Sequence, residues 1–360
     1  MQQTHQKFPF KELFFEEVKK TRGMVNCHAH LDRAYTLTPE LWEEASALME
    51  EKWIINRKIK QEHTDESIQD RLTYCIEDFL KQGVTACRTH VDADSIVGML
   101  VVNAAAKVRE RYKGKFTLQL VAHPLEGFLA EDATPDKSKM DLYEEACEVC
   151  DVVGGLPSRD RAMQGGDKKH AEFLFYIAKN LGKDMDVHID QENNPEEKDS
   201  EWFLDMIEQQ GMHGRVTLLH AISVACQQED DRNRIYGKIA DTGTNVTVCP
   251  KAAITMKQHK DKMAPVHNSI AQVDEMLEHG INVSIGTDNI SDIFVPEDNG
   301  DLFEEVSMMA SACRFYNIEK LAQIATVNGE KTMKLYENQD RTHNKLNRTQ
   351  NAEKKTMAKK

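Results

Sequence analysis

From residue 23 onward, short runs rich in β-branched residues alternate with longer amphipathic stretches, and this alternation constrains the fold more than any other feature of the chain. Candidate strands fall at 23–30, 84–91, 116–122, 151–155, 185–190, 215–220, 245–249 and 282–287. Between them lie helix-like segments such as 65–82, 96–112, 168–181, 198–210 and 269–279. Several close on a glycine (Gly83, Gly182, Gly211, Gly280), the residue that most easily takes the left-handed conformation that ends a helix. A repeating strand–helix–glycine unit builds a parallel sheet. Eight units predict an α/β fold of the closed (β/α)8 TIM-barrel kind, because open doubly wound sheets usually have fewer strands and a glycine-rich phosphate loop after the first. Neither G-x-G-x-x-G nor G-x-x-x-x-G-K-[ST] occurs, so dinucleotide and P-loop readings fall away.

Composition narrows the function classes. The 360 residues carry 46 Lys+Arg against 60 Asp+Glu, a formal charge of −14, and a general nucleic-acid binder needs a basic face instead. No apolar run reaches the length of a membrane span, and charged residues interrupt the first twenty positions, so a cytoplasmic protein with neither nucleic-acid nor membrane partners is expected. Eight scattered cysteines predict reduced, buried thiols. Cys147 and Cys150, two residues apart in a predicted helix, lack the second pair that a metal site would require. Three regions are expected: a helical N-terminal extension at 1–22, the barrel at 23–336, and a basic disordered tail at 337–360. The last twenty residues hold seven lysines and arginines and a single glutamate. The long connection 33–64 follows the first strand on the face where a barrel carries its active site, which predicts a lid or a wall over the substrate.

Catalytic groups of such a barrel sit at the C-terminal ends of its strands. The first strand ends in Cys27-His28-Ala29-His30-Leu31-Asp32, with His28 and His30 on one face and able to reach one ion. The second ends in Arg88-Thr89-His90-Val91-Asp92, the third in Ala122-His123-Pro124, the fifth in Val187-His188-Ile189-Asp190, the sixth in Leu219-His220-Ala221 and the eighth in Gly286-Thr287-Asp288-Asn289. A single strand-end histidine is ordinarily a hydrogen-bonded core residue. Six strands of eight ending on His or Asp point instead to a divalent ion held by imidazoles and a carboxylate, with a position left open for water. His63, His170, His213, His259, His267, His279 and His343 fall in helices or loops without converging partners and are expected to be solvated.

In these motifs, together with Leu118-Gln-Leu-Val-Ala-His-Pro124, Asp151-Val-Val-Gly154 and Gly280-Ile-Asn-Val-Ser-Ile-Gly-Thr-Asp288, the sequence resembles the amidohydrolase superfamily, in the branch of cytosine deaminase and N-isopropylammelide amidohydrolase. The resemblance spans about Gly23 to Leu335 and implies His28, His30, His188 and Asp288 as metal ligands. It implies His220 as the histidine beside the activated water, and Asp288 as general base and acid as well as ligand. The fourth strand offers no lysine of the kind that bridges two ions in binuclear relatives, so one ion is implied, Zn2+ ahead of Fe2+. Relatives also carry a small β-sandwich flanking the barrel, and this chain has no obvious segments for one; a second copy of the chain is a candidate to cover that face.

Three departures from the cytosine deaminase pattern bear on the substrate. Gln191 stands where those enzymes carry a glutamate, and a carboxamide cannot shuttle a proton. Leu125 stands where they carry the glutamine that reads the cytosine edge, and Asn289 replaces the aspartate after the last ligand. Cytosine is therefore not expected. Gln191 is counted with the catalytic residues, and His123, Leu125 and Asn289 are expected to contact the substrate. The leading expectation is a mononuclear hydrolase that cleaves an amide, lactam or amino carbon–nitrogen bond of a small nitrogen-containing ring. Its alternatives are a deaminase of a heterocycle other than cytosine, with the proton supplied by Asp288 or a neighbouring acid such as Asp190 or Glu192, and a metal-retaining binding protein without catalysis.

Overall fold

A computed structural model of the chain describes residues 7–257, 259, 261–265 and 270–336. Eight strands, β1 (Met24–Ala29), β2 (Val84–Asp92), β3 (Thr117–His123), β4 (Val152–Gly155), β5 (Met185–Ile189), β6 (Val216–His220), β7 (Asn245–Val248) and β8 (Val283–Ile285), lie side by side in sequence order. Every adjacent pair is parallel. β8 then meets β1 through a parallel bridge between Ala29 and Asp288. There the Asp288 N–H donates to the His28 carbonyl (2.9 Å) and the His30 N–H donates to the Asp288 carbonyl (3.1 Å). Gly286 permits this closure, since a Cβ there would sit 2.5 Å from the His28 carbonyl oxygen. The eight-stranded parallel barrel expected from the alternation is the fold observed.

The helices form the outer ring because their apolar stripes have one surface on which to bury. Asp65–Gln82 shows the local logic. Thr64 accepts from the Ser67 N–H at its start, and Gly83, at φ +84°, ends it immediately before β2. On its inner side Ile68, Leu72, Ile76 and Phe79 are fully buried in the main core. The N-terminal helix Phe10–Val18 packs its Phe14 against Phe303 at a ring distance of 5.3 Å. Among the described residues no helix is long and apolar enough to cross a membrane. The expected tail 337–360, with His343, lies outside the described residues, as does His267.

The barrel interior is polar in its lower layer. Arg88 of β2 donates to Asp186 of β5 (3.0 Å) and to the Thr332 carbonyl (3.1 Å) from the segment that crosses the bottom of the barrel. The connection after β1 contains the helix Met49–Gln61, and this helix is pinned rather than loose. Lys60, 2% exposed, reaches Asp92 (3.5 Å), Asp94 and Glu126 (3.4 Å), and Arg57 adds a second contact to Glu126.

Candidate metal centre and pocket

Six imidazoles and one carboxylate converge at the C-terminal ends of the strands. The rings of His28, His30, His90, His123, His188 and His220 form a continuous cluster with neighbouring centroids 4.6–5.5 Å apart. All six are buried, and Asp288 is 7% exposed. The β1–β2 pairing shifts register between Asn26 and Ala29, a local irregularity that falls where His28 and His30 must be aimed. Asp288 holds a left-handed φ of +62° and His220 one of +75°, conformations that cost energy for side-chain-bearing residues and cluster at functional sites. At Asp288 the two seam hydrogen bonds to β1 fix it.

The contacts fit a divalent ion. His28 Nε2 and His30 Nε2 lie 3.2 and 3.3 Å from the same Asp288 oxygen, and His220 Nε2 lies 3.8 Å from the other. Ligands about 2.0–2.1 Å from a tetrahedral ion are separated by about 3.4 Å, so the imidazole–carboxylate spacing is that of a coordination shell. Among the described residues, neither ring nitrogen of His28 or of His90 has a hydrogen-bond partner, and neither does His30 Nδ1, although buried polar atoms are normally satisfied. His188 Nδ1 donates to the Gly155 carbonyl at 3.2 Å. That bond fixes its tautomer and leaves Nε2 as the electron-pair donor, the usual arrangement for a ligating histidine.

Burial gives the cluster the required protonation. Desolvation, with the crowding of the other imidazoles acting in the same direction, holds His30, His90 and His188 well below the ordinary imidazole range. It pulls His123 down to about 3, and His220 to about 4 despite the opposing Asp288 charge. Neutral imidazoles are the ligating form. For Asp288 burial acts upward, but the adjoining His28 and His220 outweigh it and hold the carboxyl below its ordinary value.

Each residue expected from the sequence can be placed. His30, His123, Leu125, His188, Gln191, His220, Asp288 and Asn289 line one cavity of about 750 Å³, including its open mouth, and His28 lies beneath it against Asp288. Leu125 forms an apolar wall with Trp53 and Leu156. Gln191 donates to the Ser158 hydroxyl (3.0 Å) and Asn289 donates to Asp292 (2.5 Å), so part of each amide's capacity is already engaged. The segment 33–64 supplies Arg33, Met49, Lys52 and Trp53 to the cavity, the wall that its position predicted. Asp190 turns away, accepting from the N–H groups of Asp199 (2.7 Å) and Ser200 (3.2 Å) at the start of the helix Asp199–Gln210.

Other expectations are corrected. His170 is fully buried and joined to Asp160 at 2.7 Å, in the first turns of a helix whose inner face a sequence reading placed in solvent. His259 lines the cavity and meets Glu192 at 3.2 Å, and one His63 ring nitrogen is buried without a partner. Long connections brought these groups inward, and helical or loop position alone does not reveal that. His90 and Cys249 were underrated. His90 groups with His28 and His188 within reach of one ion, and Cys249 groups with His28 and Asp288. Burial, followed by the Asp288 charge, raises the Cys249 thiol well above its ordinary value. Its signal was available, since Cys249 stands at the C-terminal end of β7 as His or Asp stands at the ends of six other strands.

The model of the Amidohydrolase family matches residues 21–339. The chain belongs to the amidohydrolase family. That membership places it among hydrolases acting on carbon–nitrogen bonds. An uncharacterized protein of Haemophilus influenzae is 35% identical over 74% of this chain and 95% of its own length. The N-isopropylammelide isopropyl amidohydrolase of Pseudomonas sp. is 26% identical over 78% of this chain, which spans 66% of that enzyme. Among solved structures, 5-methylcytosine deaminase from Klebsiella pneumoniae liganded with 5-fluorocytosine superposes with a TM-score of 0.79 at 24% identity, over 88% of this amidohydrolase and 75% of that chain, a likeness of fold.

Proposed function

We propose that this amidohydrolase is a cytoplasmic, mononuclear metal enzyme that hydrolyses an amide, lactam or amino carbon–nitrogen bond of a small nitrogen-containing ring, acting on neither nucleic acid nor membrane. His28, His30, His188 and Asp288 would hold the ion. The observation that carries this reading is the meeting of two Nε2 atoms on one Asp288 oxygen at 3.2 and 3.3 Å. A nitrogen- and oxygen-donor set with an open side suits Zn2+ first and Fe2+ second. When bound, such an ion supplies Lewis acidity that makes water a competent nucleophile near neutral pH.

The protein's own groups would do the rest. Asp288, held ionised, takes the proton of the attacking water on the carboxylate oxygen that faces His220 and returns it to the departing nitrogen. His220, neutral and 3.8 Å from that oxygen, positions the water. Leu125, Trp53 and Leu156 exclude solvent on one side, while His123, Gln191 and Asn289 offer the polar edge that orients the ring. Exhaustive chelation should abolish turnover and added Zn2+ should restore it; activity that survives metal removal contradicts the assignment.

Deamination is the second reading, favoured by one contact. Gln191 cannot donate and recover a proton, but Glu192 beside it lines the same cavity and is paired with His259 at 3.2 Å. A carboxyl and an imidazole in contact can pass a proton to a ring nitrogen. Ammonia released from aminoheterocycles, and lost in Glu192→Gln, distinguishes this reading from ring or amide cleavage.

A further inference from the structure

The helix Met49–Gln61 carries two buried lysines with opposite surroundings. Lys60 is 2% exposed and has three carboxylates around it, Asp92, Asp94 and Glu126. Lys52 is 4% exposed, lines the metal-site cavity, and forms no ion pair among the described residues. Among the described residues its one hydrogen bond is to the Phe294 carbonyl at 3.1 Å, which leaves two of three ammonium donors unused there. Met49, Trp53 and Phe294, which line the same cavity, are apolar or aromatic.

An ammonium taken out of water without a counter-ion is costly, and chains tolerate one where a ligand supplies the opposite charge. The nearest acid in influence, Asp292, raises Lys52, yet burial prevails and lowers it from its ordinary value. Asp292 is itself committed to Arg33 (3.4 Å) and Asn289. Arg33, also on the cavity wall, adds positive potential.

We propose that Lys52 is a specificity-determining residue that receives an anionic oxygen of the substrate, so that the rings processed here carry a negative charge, as a carboxylate or as a deprotonated ring oxo group. The inference rests on the reading of this cavity as the hydrolase site and specifies its substrate class. Lys52 is not among the proposed metal ligands. Its replacement removes the anion contact without touching the ion.

The test uses zinc-loaded protein and rings of one size measured calorimetrically at neutral pH: neutral uracil, its 5- and 6-carboxylates, and barbiturate, whose charge lies on ring oxygens. Wild type should bind at least one anionic ring more tightly than uracil by about 10- to 100-fold, the range of charge-assisted hydrogen bonds. Lys52→Met should erase that preference and leave zinc content unchanged, while Lys52→Arg should keep most of it. Which anions are preferred separates the carboxylate from the ring-oxo source. Equal binding of charged and neutral rings by wild type, absence of anion binding, or an undiminished preference in Lys52→Met overturns the proposal. Failure of wild type to retain zinc would instead count against the hydrolase reading.

Discussion

At the residue scale, the candidate site gathers six buried imidazoles around one carboxylate, Asp288. His188 is the proposed ligand whose removal is most informative, because its Nδ1 is fixed by the Gly155 carbonyl and only Nε2 is left for an ion. His188→Ala should lower bound zinc below one equivalent and abolish turnover together, read by elemental analysis beside an activity assay; full metal content in that variant would contradict the ligand set. Gln191→Glu should leave metal content unchanged and raise ammonia release from aminoheterocycles, because a carboxyl is restored where only a carboxamide now stands. The Asp190 side chain shows the limit of strand-end reasoning. It follows His188 by two positions, yet it caps a helix instead of facing the cavity, because its φ of +50° rotates the chain out of the strand.

At the element scale, the helix Met49–Gln61 is a fixed wall whose position depends on Lys60. Lys60→Met leaves Asp92, Asp94 and Glu126 short of their shared cation, and breaking a buried pair on one side costs about 3–5 kcal/mol. Denaturant unfolding should show that loss, and because Lys52 and Trp53 lie on the same helix, ligand binding should weaken with it. Had the helix been a mobile lid, substitution at Lys60 would alter stability little. The sequence placed this segment over the site from its length and location alone. It could not tell wall from lid, since the decision rests on carboxylates contributed by β2 and by the loop after β3.

Across the whole molecule, closure of the barrel and assembly of the site are one event. Ala29 pairs with Asp288 across the β1–β8 seam, so one residue that seals the barrel is itself a proposed ligand and the other is flanked by two, His28 and His30. Gly286→Ala, whose new methyl would press on the His28 carbonyl, should lower thermal stability and zinc affinity in parallel. A normal zinc affinity in a destabilised variant would separate the two. Burial also couples global stability to pH. Desolvation lowers His63 to about 4, whereas in an unfolded chain it titrates near its ordinary value of about 6.5. The unfolded state therefore binds this proton first, and wild type should lose stability relative to His63→Gln as pH falls from about 6.5 toward 4. Urea midpoints for the two proteins at several pH values check the sign.

The strand count, the order of the elements and the convergence of strand-end histidines were determined by the sequence, because alternating apolar periodicity and helix-ending glycines are local properties that a parallel barrel arranges in only one way. The three departures at Leu125, Gln191 and Asn289 were equally visible there. Only the tertiary structure decided which polar groups share the cavity: it brought in Lys52, Glu192 and His259 and buried His170 against Asp160. It also turned Asp190 away. The physical reason is that burial and electrostatic pairing depend on contacts between residues far apart in the chain. His259 meets Glu192 across 67 positions, and Lys52 meets Phe294 across 242, separations over which no pattern in the sequence specifies a neighbour.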